Sequence, residues 1–108
     1  MEQNKGAFVC DVNLFNRILR LENRRGFKFL FIVVSFNCYV DEELCETIFD
    51  DLVLLLRTKD VISKNKKQFF ILMKNTNIYY KDDVIKRLNS QFQKEYPKVN
   101  PVFTLKYF

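Results

Sequence analysis

The sequence predicts an α+β domain, a single antiparallel sheet with helices packed on it. Three stretches repeat apolar residues at helical spacing, and four others are short β-branched or aromatic runs bounded by polar turns. The 108 residues carry 48% hydrophobic and 16% aromatic side chains, with twelve Phe and no Trp. That supply fills one compact core and is too apolar for disorder. Residues 1–108 are read as a single domain without linker, internal repeat or low-complexity segment.

Taken in order, Asp11 to about Arg24 reads as a helix: Asp11 caps it, Leu14, Phe15, Ile18 and Leu21 form its stripe, and Gly26 stops it. Residues 27–36, "FKFLFIVVSF", read as a strand whose lack of alternation predicts cover on both faces. Asp41 caps a second helix running to about Arg57, with Glu42 and Glu43 where the helix dipole favours negative charge and Leu44, Ile48, Leu52 and Leu55 as its buried stripe. "DVISKNKKQFFILMK" reads as a hairpin around the polar segment Lys64 to Lys67, whose tip contains no Gly. Thr76 or Asn77 begins a third helix bearing Val84, Ile85, Leu88, Phe92 and Tyr96, and Pro97 ends it. Residues 102–108 alternate as a last strand. Beyond the opening helix the order is β-α-β-β-α-β, the ferredoxin-like split βαβ arrangement.

Composition narrows the chemistry. The longest purely apolar run, Phe29 to Val34, is far short of the roughly 20 residues a membrane span requires. The first residues lack an apolar leader region, so a soluble, cytoplasmic protein is expected. Cys10, Cys38 and Cys45 have no CxxC spacing and are read as small buried hydrophobes, with neither a disulfide nor a metal site. Histidine is absent, which removes the commonest general base and transition-metal ligand. A net charge of +5 is only mildly favourable for meeting a polyanion.

"LRTKDVISKNKKQFFILM", residues 56 to 73, resembles the central string of the GGDEF (diguanylate cyclase) family: Arg-x-x-Asp, five residues, the signature loop, then a strand. Arg57 and Asp60 hold their places, and "ENRRGF", residues 22 to 27, is similar to the family's Asn-Arg-Arg-x-Phe run. The resemblance covers about Asp11 to Phe108 and implies a nucleotidyl-cyclase-like variant of the same topology. The signature positions read Lys66, Lys67, Gln68, Phe69 and Phe70, so only the final Phe survives. Lysines in place of glycines put side chains where the loop backbone approaches a phosphate. Ser35 and Asn37 stand where the family's metal-binding carboxylates fall, and neutral side chains hold Mg²⁺ poorly. The resemblance therefore implies a degenerate, non-catalytic module with no cofactor and no metal.

Arg57 and Asp60 match the family's inhibitory site, where Arg pairs with cyclic di-guanylate and Asp accepts from guanine. The alternative at these two residues is a solvated i,i+3 charge pair, with Asp60 capping the turn into the strand. "GAFVCDVNLFNRILRLENRR", with the downstream strings, also resembles the GGDEF-related tail domain of Firmicute transcriptional regulators of the BTAD type. That resemblance implies a bacterial module excised from a larger regulator, whose partners are flanking domains or a second copy, with cyclic di-guanylate as the ligand if Arg57 and Asp60 are used. No membrane partner is expected. An RNA-recognition module shares the strand order, and Phe31 with Phe69 or Phe70 would be its stacking platform. Its third-strand signature is poorly matched by "KKQFFILM", so direct nucleic-acid binding is disfavoured. Lys64, Lys66 and Lys67 read as a solvated tip.

Overall fold

The computed structural model describes residues 6–26 and 28–106. The elements are β1 (Phe8–Val9), α1 (Val12–Arg25), β2 (Phe29–Phe36), α2 (Glu42–Leu55), β3 (Val61–Asn65), β4 (Gln68–Lys74), a 3₁₀ turn (Ile78–Tyr80), α3 (Lys81–Glu95) and β5 (Pro101–Lys106). The strands form one sheet in the order β1-β3-β4-β2-β5. β2 runs antiparallel to both β4 and β5, and β3 antiparallel to β4, whereas β1 lies parallel to β3. The result is an α+β fold with a five-stranded mixed sheet and three helices, compatible with a ferredoxin-like class.

The sheet is covered on both faces. Leu30, Ile32 and Val34 of β2, Ile62 of β3, and Phe69, Ile71 and Met73 of β4 pack against Ile48, Phe49 and Leu52 of α2 and Val84, Leu88 and Phe92 of α3. On the opposite face Val61, Leu72 and the half-buried Phe29, Phe31 and Phe70 meet Phe15 and Leu19 of α1. This double cover explains why β2 reads as a continuous apolar run. β5 lies at an edge, and there the period of two survives: Pro101, Phe103 and Leu105 are half-buried and Val102, Thr104 and Lys106 exposed.

The helix starts follow the capping residues. Asp11 Oδ1 accepts from Leu14 N–H at 2.8 Å, and Asp41 Oδ1 accepts from Leu44 N–H at 2.8 Å. Gly26 ends α1 in the left-handed region at φ 74°. Gly6 also has positive φ, and a Cβ there would lie 2.0 Å from Val53 O. No larger residue fits without moving the backbone. Ala7 N–H then donates to Val53 O at 2.8 Å, which lays β1 alongside the end of α2.

Several expectations are corrected. α1 buries Phe15, Leu19 and Glu22, while Leu14 and Leu21 are exposed and Ile18 is half-buried. α2 buries Cys45, Ile48, Phe49 and Leu52, but Leu55 is 40% exposed. The third helical segment starts as a 3₁₀ turn, where Asn77 Oδ1 accepts from Tyr79 N–H at 2.9 Å, and becomes α-helical only at Lys81. Cys38 is exposed and Cys10 half-buried, so only Cys45 is a fully buried small hydrophobe. β1 was not anticipated. The start of the predicted first strand at Phe27 and the end of the last at Tyr107 and Phe108 lie outside the described residues.

Candidate functional site

The hairpin tip is tighter than the sequence implies. Lys64 and Asn65 belong to β3, Asn65 pairs with Gln68, and the turn itself is only Lys66 and Lys67. Lys66 takes φ 59°, supplying without glycine the left-handed residue that a two-residue hairpin requires. Lys67 Nζ sits 4.6 Å from the centroid of the Tyr39 ring. Ser35, Phe36, Cys38, Val40 and residues 65–68 line a depression of about 340 Å³ here. The strand end bearing Ser35 thus does meet the tip. Among the described residues no group of three or more His, Cys, Asp or Glu is placed to hold a metal.

The last two signature positions serve the core. Phe69 is fully buried, its ring 5.6 Å from Phe36 and 5.3 Å from Phe49, on the α2–α3 side. Phe70 points the other way, 5.9 Å from Phe15 and 6.2 Å from Phe31. The aromatic platform that RNA recognition would require is therefore covered by α1 on one face and by α2 and α3 on the other. Phe69 is fully buried, and Phe31 and Phe70 are half-buried beneath α1.

Arg57 and Asp60 meet, but the pair is not solvated as a unit. The Asp60 side chain is 0% exposed and that of Arg57 42%. Arg57 Nη2 donates to Asp60 Oδ1 at 2.8 Å, Nε lies 3.1 Å from Oδ2, and the Arg57 main-chain N–H donates to Oδ2 at 2.9 Å. The turn closes through Asp60 N–H to Arg57 O at 3.0 Å. Arg57 Nη2 reaches further, to Lys74 O at 3.0 Å and Thr76 Oγ1 at 2.9 Å. Phe8 N–H donates to Asp60 O at 2.9 Å. The two residues therefore fasten the end of α2 and the start of β3 to the end of β4 and to β1.

Beside this clamp lies a groove of about 740 Å³ between the end of α2, the β4–α3 connection and α3. Lys28, Arg57 and Arg87 line it together with Asp83, Tyr80 and Asn75. Of this lining, the sequence singled out Arg57 and Asp60 as a site; Lys28 and Arg87 lie far from them along the chain, and no local spacing joins them.

A second groove, about 280 Å³, separates α2 from α3 and is lined by Ile48, Leu52, Leu54, Leu55 and Phe92, with Asp51 and Glu95 at its polar margin. Leu54 is 56% exposed. The Tyr96 hydroxyl hydrogen-bonds Asp51 across the groove. Burial, and then the bond to Asp51, push the Tyr96 phenol up to about 12, so it remains a donor at neutral pH. Burial likewise raises the thiols of Cys45 and Cys10, keeping both in the unreactive protonated form.

No known family model matches the chain, and no curated protein or solved structure matches it either. No helix among the described residues is long and apolar enough to cross a membrane.

Proposed function

We propose that the chain is a non-catalytic, GGDEF-like regulatory module of nucleotidyl-cyclase-like topology that acts by protein contact within a cytoplasmic bacterial transcriptional or signalling regulator. The observation that carries this reading is the leucine-lined groove between α2 and α3, where Leu54 and Leu55 stay exposed beside Phe92. Exposed apolar side chains gathered along a concave surface are the usual mark of a docking site. The altered tip supports the non-catalytic part: Lys67 is engaged with Tyr39, and Phe69 and Phe70 are core residues.

The test has two arms. The purified chain is incubated with GTP and Mg²⁺, and no cyclic di-guanylate is expected; sustained product formation overturns the reading. A photo-crosslinking amino acid is then placed at position 54 or, as a control on the outer face of α3, at position 89, in cells. A discrete protein adduct from position 54 and none from 89 is expected, whereas no adduct from either overturns the contact reading.

The second reading is a receptor for cyclic di-guanylate at the Arg57 groove. It is favoured by the rigid presentation of the Arg57 guanidinium beside Arg87 and Lys28. Asp60 has no exposed surface to offer guanine, so the phosphate contacts fall to the three cations. Isothermal titration tests it with Arg87→Ala, which leaves the clamp intact. Stoichiometric binding lost in that variant supports the receptor reading, and absence of binding removes it.

A further inference from the structure

α2 is chemically unlike the rest of the chain. Its sequence, EELCETIFDDLVLL, contains Glu42, Glu43, Glu46, Asp50 and Asp51 and no Lys or Arg, in a protein of net charge +5. Glu42 and Glu43 stand at the positive end of the helix dipole, and Glu46 pairs with Lys64. Asp51 accepts a hydrogen bond from the Tyr96 hydroxyl, but Asp50 has no such local benefit among the described residues. They lie toward the negative end of the dipole, and no basic residue stands in the last turn. Spacings of three and four residues place Asp50 beside Leu54 and Asp51 beside Leu54 and Leu55. Glu95 of α3 lines the groove opposite Asp51, while Asp50 stands outside the lining, one turn from Leu54.

Resting on the protein-contact reading above, we infer that the α2–α3 groove receives a basic amphipathic helix of a partner protein. Apolar anchors of that helix cover Leu54, Leu55 and Phe92, and its flanking Lys or Arg meet Asp50, Asp51 and Glu95. An apolar floor with a carboxylate rim between two helices suits a helix laid in a groove. The rim sets the sign of the charge that is accepted. A second copy of this chain suits it less well, because an acidic patch docking on another surface of the same molecule is heterologous and does not close into a dimer.

The probe is a pair of synthetic amphipathic helical peptides with one leucine stripe and either Lys/Arg or Glu flanks, titrated into the ¹⁵N-labelled full chain. The basic peptide is expected to bind saturably, with shifts centred on Leu54, Leu55 and Gln91. Its affinity should fall about tenfold on exchange of the flanks and again in Asp50→Asn/Glu95→Gln, and should weaken with added salt. Leu54→Glu, at an exposed site that tolerates charge, should abolish binding. Equal affinity for both peptides at this groove overturns the basic-partner inference while leaving the contact reading in place. Shifts at another surface, no binding by either peptide, or self-association through the groove in sedimentation overturn it as well. Crosslinking from position 54 reports on the contact reading independently of the charge of the partner.

Discussion

Arg57→Ala is expected to destabilise the fold rather than leave it untouched. The substitution removes the contacts of Nε and Nη2 with Asp60 and the bonds from Nη2 to Lys74 O and Thr76 Oγ1. Asp60, fully buried, then keeps only its bond from the residue 57 main-chain N–H. Breaking a buried ion pair from one side costs about 3–5 kcal/mol. Arg57 is 42% exposed, so water enters the space it leaves and solvent screening reduces the cost to about 2–3 kcal/mol. For a chain of this length that corresponds to a fall in Tm of about 8–12 °C. Urea denaturation followed by circular dichroism measures it, with an unchanged slope confirming that the same surface is exposed on unfolding. The double variant Arg57→Met/Asp60→Leu removes both charges and should be less destabilised than the sum of the two single changes, a coupling of at least about 1 kcal/mol. A loss below about 0.5 kcal/mol in Arg57→Ala would refute the clamp, because that is the scale of an exposed ion pair.

Other perturbations separate local causes. Gly6→Ala meets Val53 O in a left-handed backbone and should cost about 2–4 kcal/mol, whereas Gly26→Ala, with nothing within 4 Å of its Cβ, should cost only about 1 kcal/mol in the same assay. Ser63 Oγ is buried without a partner, so Ser63→Ala should be neutral or raise stability by up to about 1 kcal/mol; a clear loss would mean that the hydroxyl is bonded. The raised phenol of Tyr96 keeps its proton in the folded state after the unfolded chain has lost it. Stability should therefore hold below pH 10 and fall as pH rises toward about 12, and this slope should be reduced in Tyr96→Phe.

The fold was legible wherever a local signal sufficed. Asp11, Asp41 and Gly26 marked helix ends because capping is decided within four residues. The face of α1 was not legible: Val12, Leu14, Phe15, Ile18, Leu19 and Leu21 spread apolar character around much of the helix, and only docking on β3 and β4 selects Phe15 and Leu19. β1 escaped because two exposed residues carry no periodicity, and Gly6, which permits its approach, looks like any flexible terminus. At the candidate site the spacing of Arg57 and Asp60 was visible, and so was their pairing as one alternative. The burial of Asp60 was not, nor the reach of Arg57 to Lys74 and Thr76, 17 and 19 residues away along the chain.

The acidic residues of α2 show how one residue type carries two meanings along a single helix. Asp41, Glu42 and Glu43 are accounted for by stability: one caps, and the others face unpaired N–H groups at the positive end of the dipole. Asp51 is partly accounted for by the Tyr96 hydroxyl. Asp50 is exposed, lies toward the negative end, and has no hydrogen bond or ion pair among the described residues. If it is retained for a partner, Asp50→Lys should raise the stability of the free chain by about 0.3 kcal/mol, through the dipole and the removal of like-charge i,i+4 repulsion with Glu46. The same change should weaken the basic peptide. Opposite signs in the two measurements are what a residue kept for binding produces, at the expense of stability. A loss of stability in Asp50→Lys would instead assign Asp50 to the fold and leave the rim to Asp51 and Glu95.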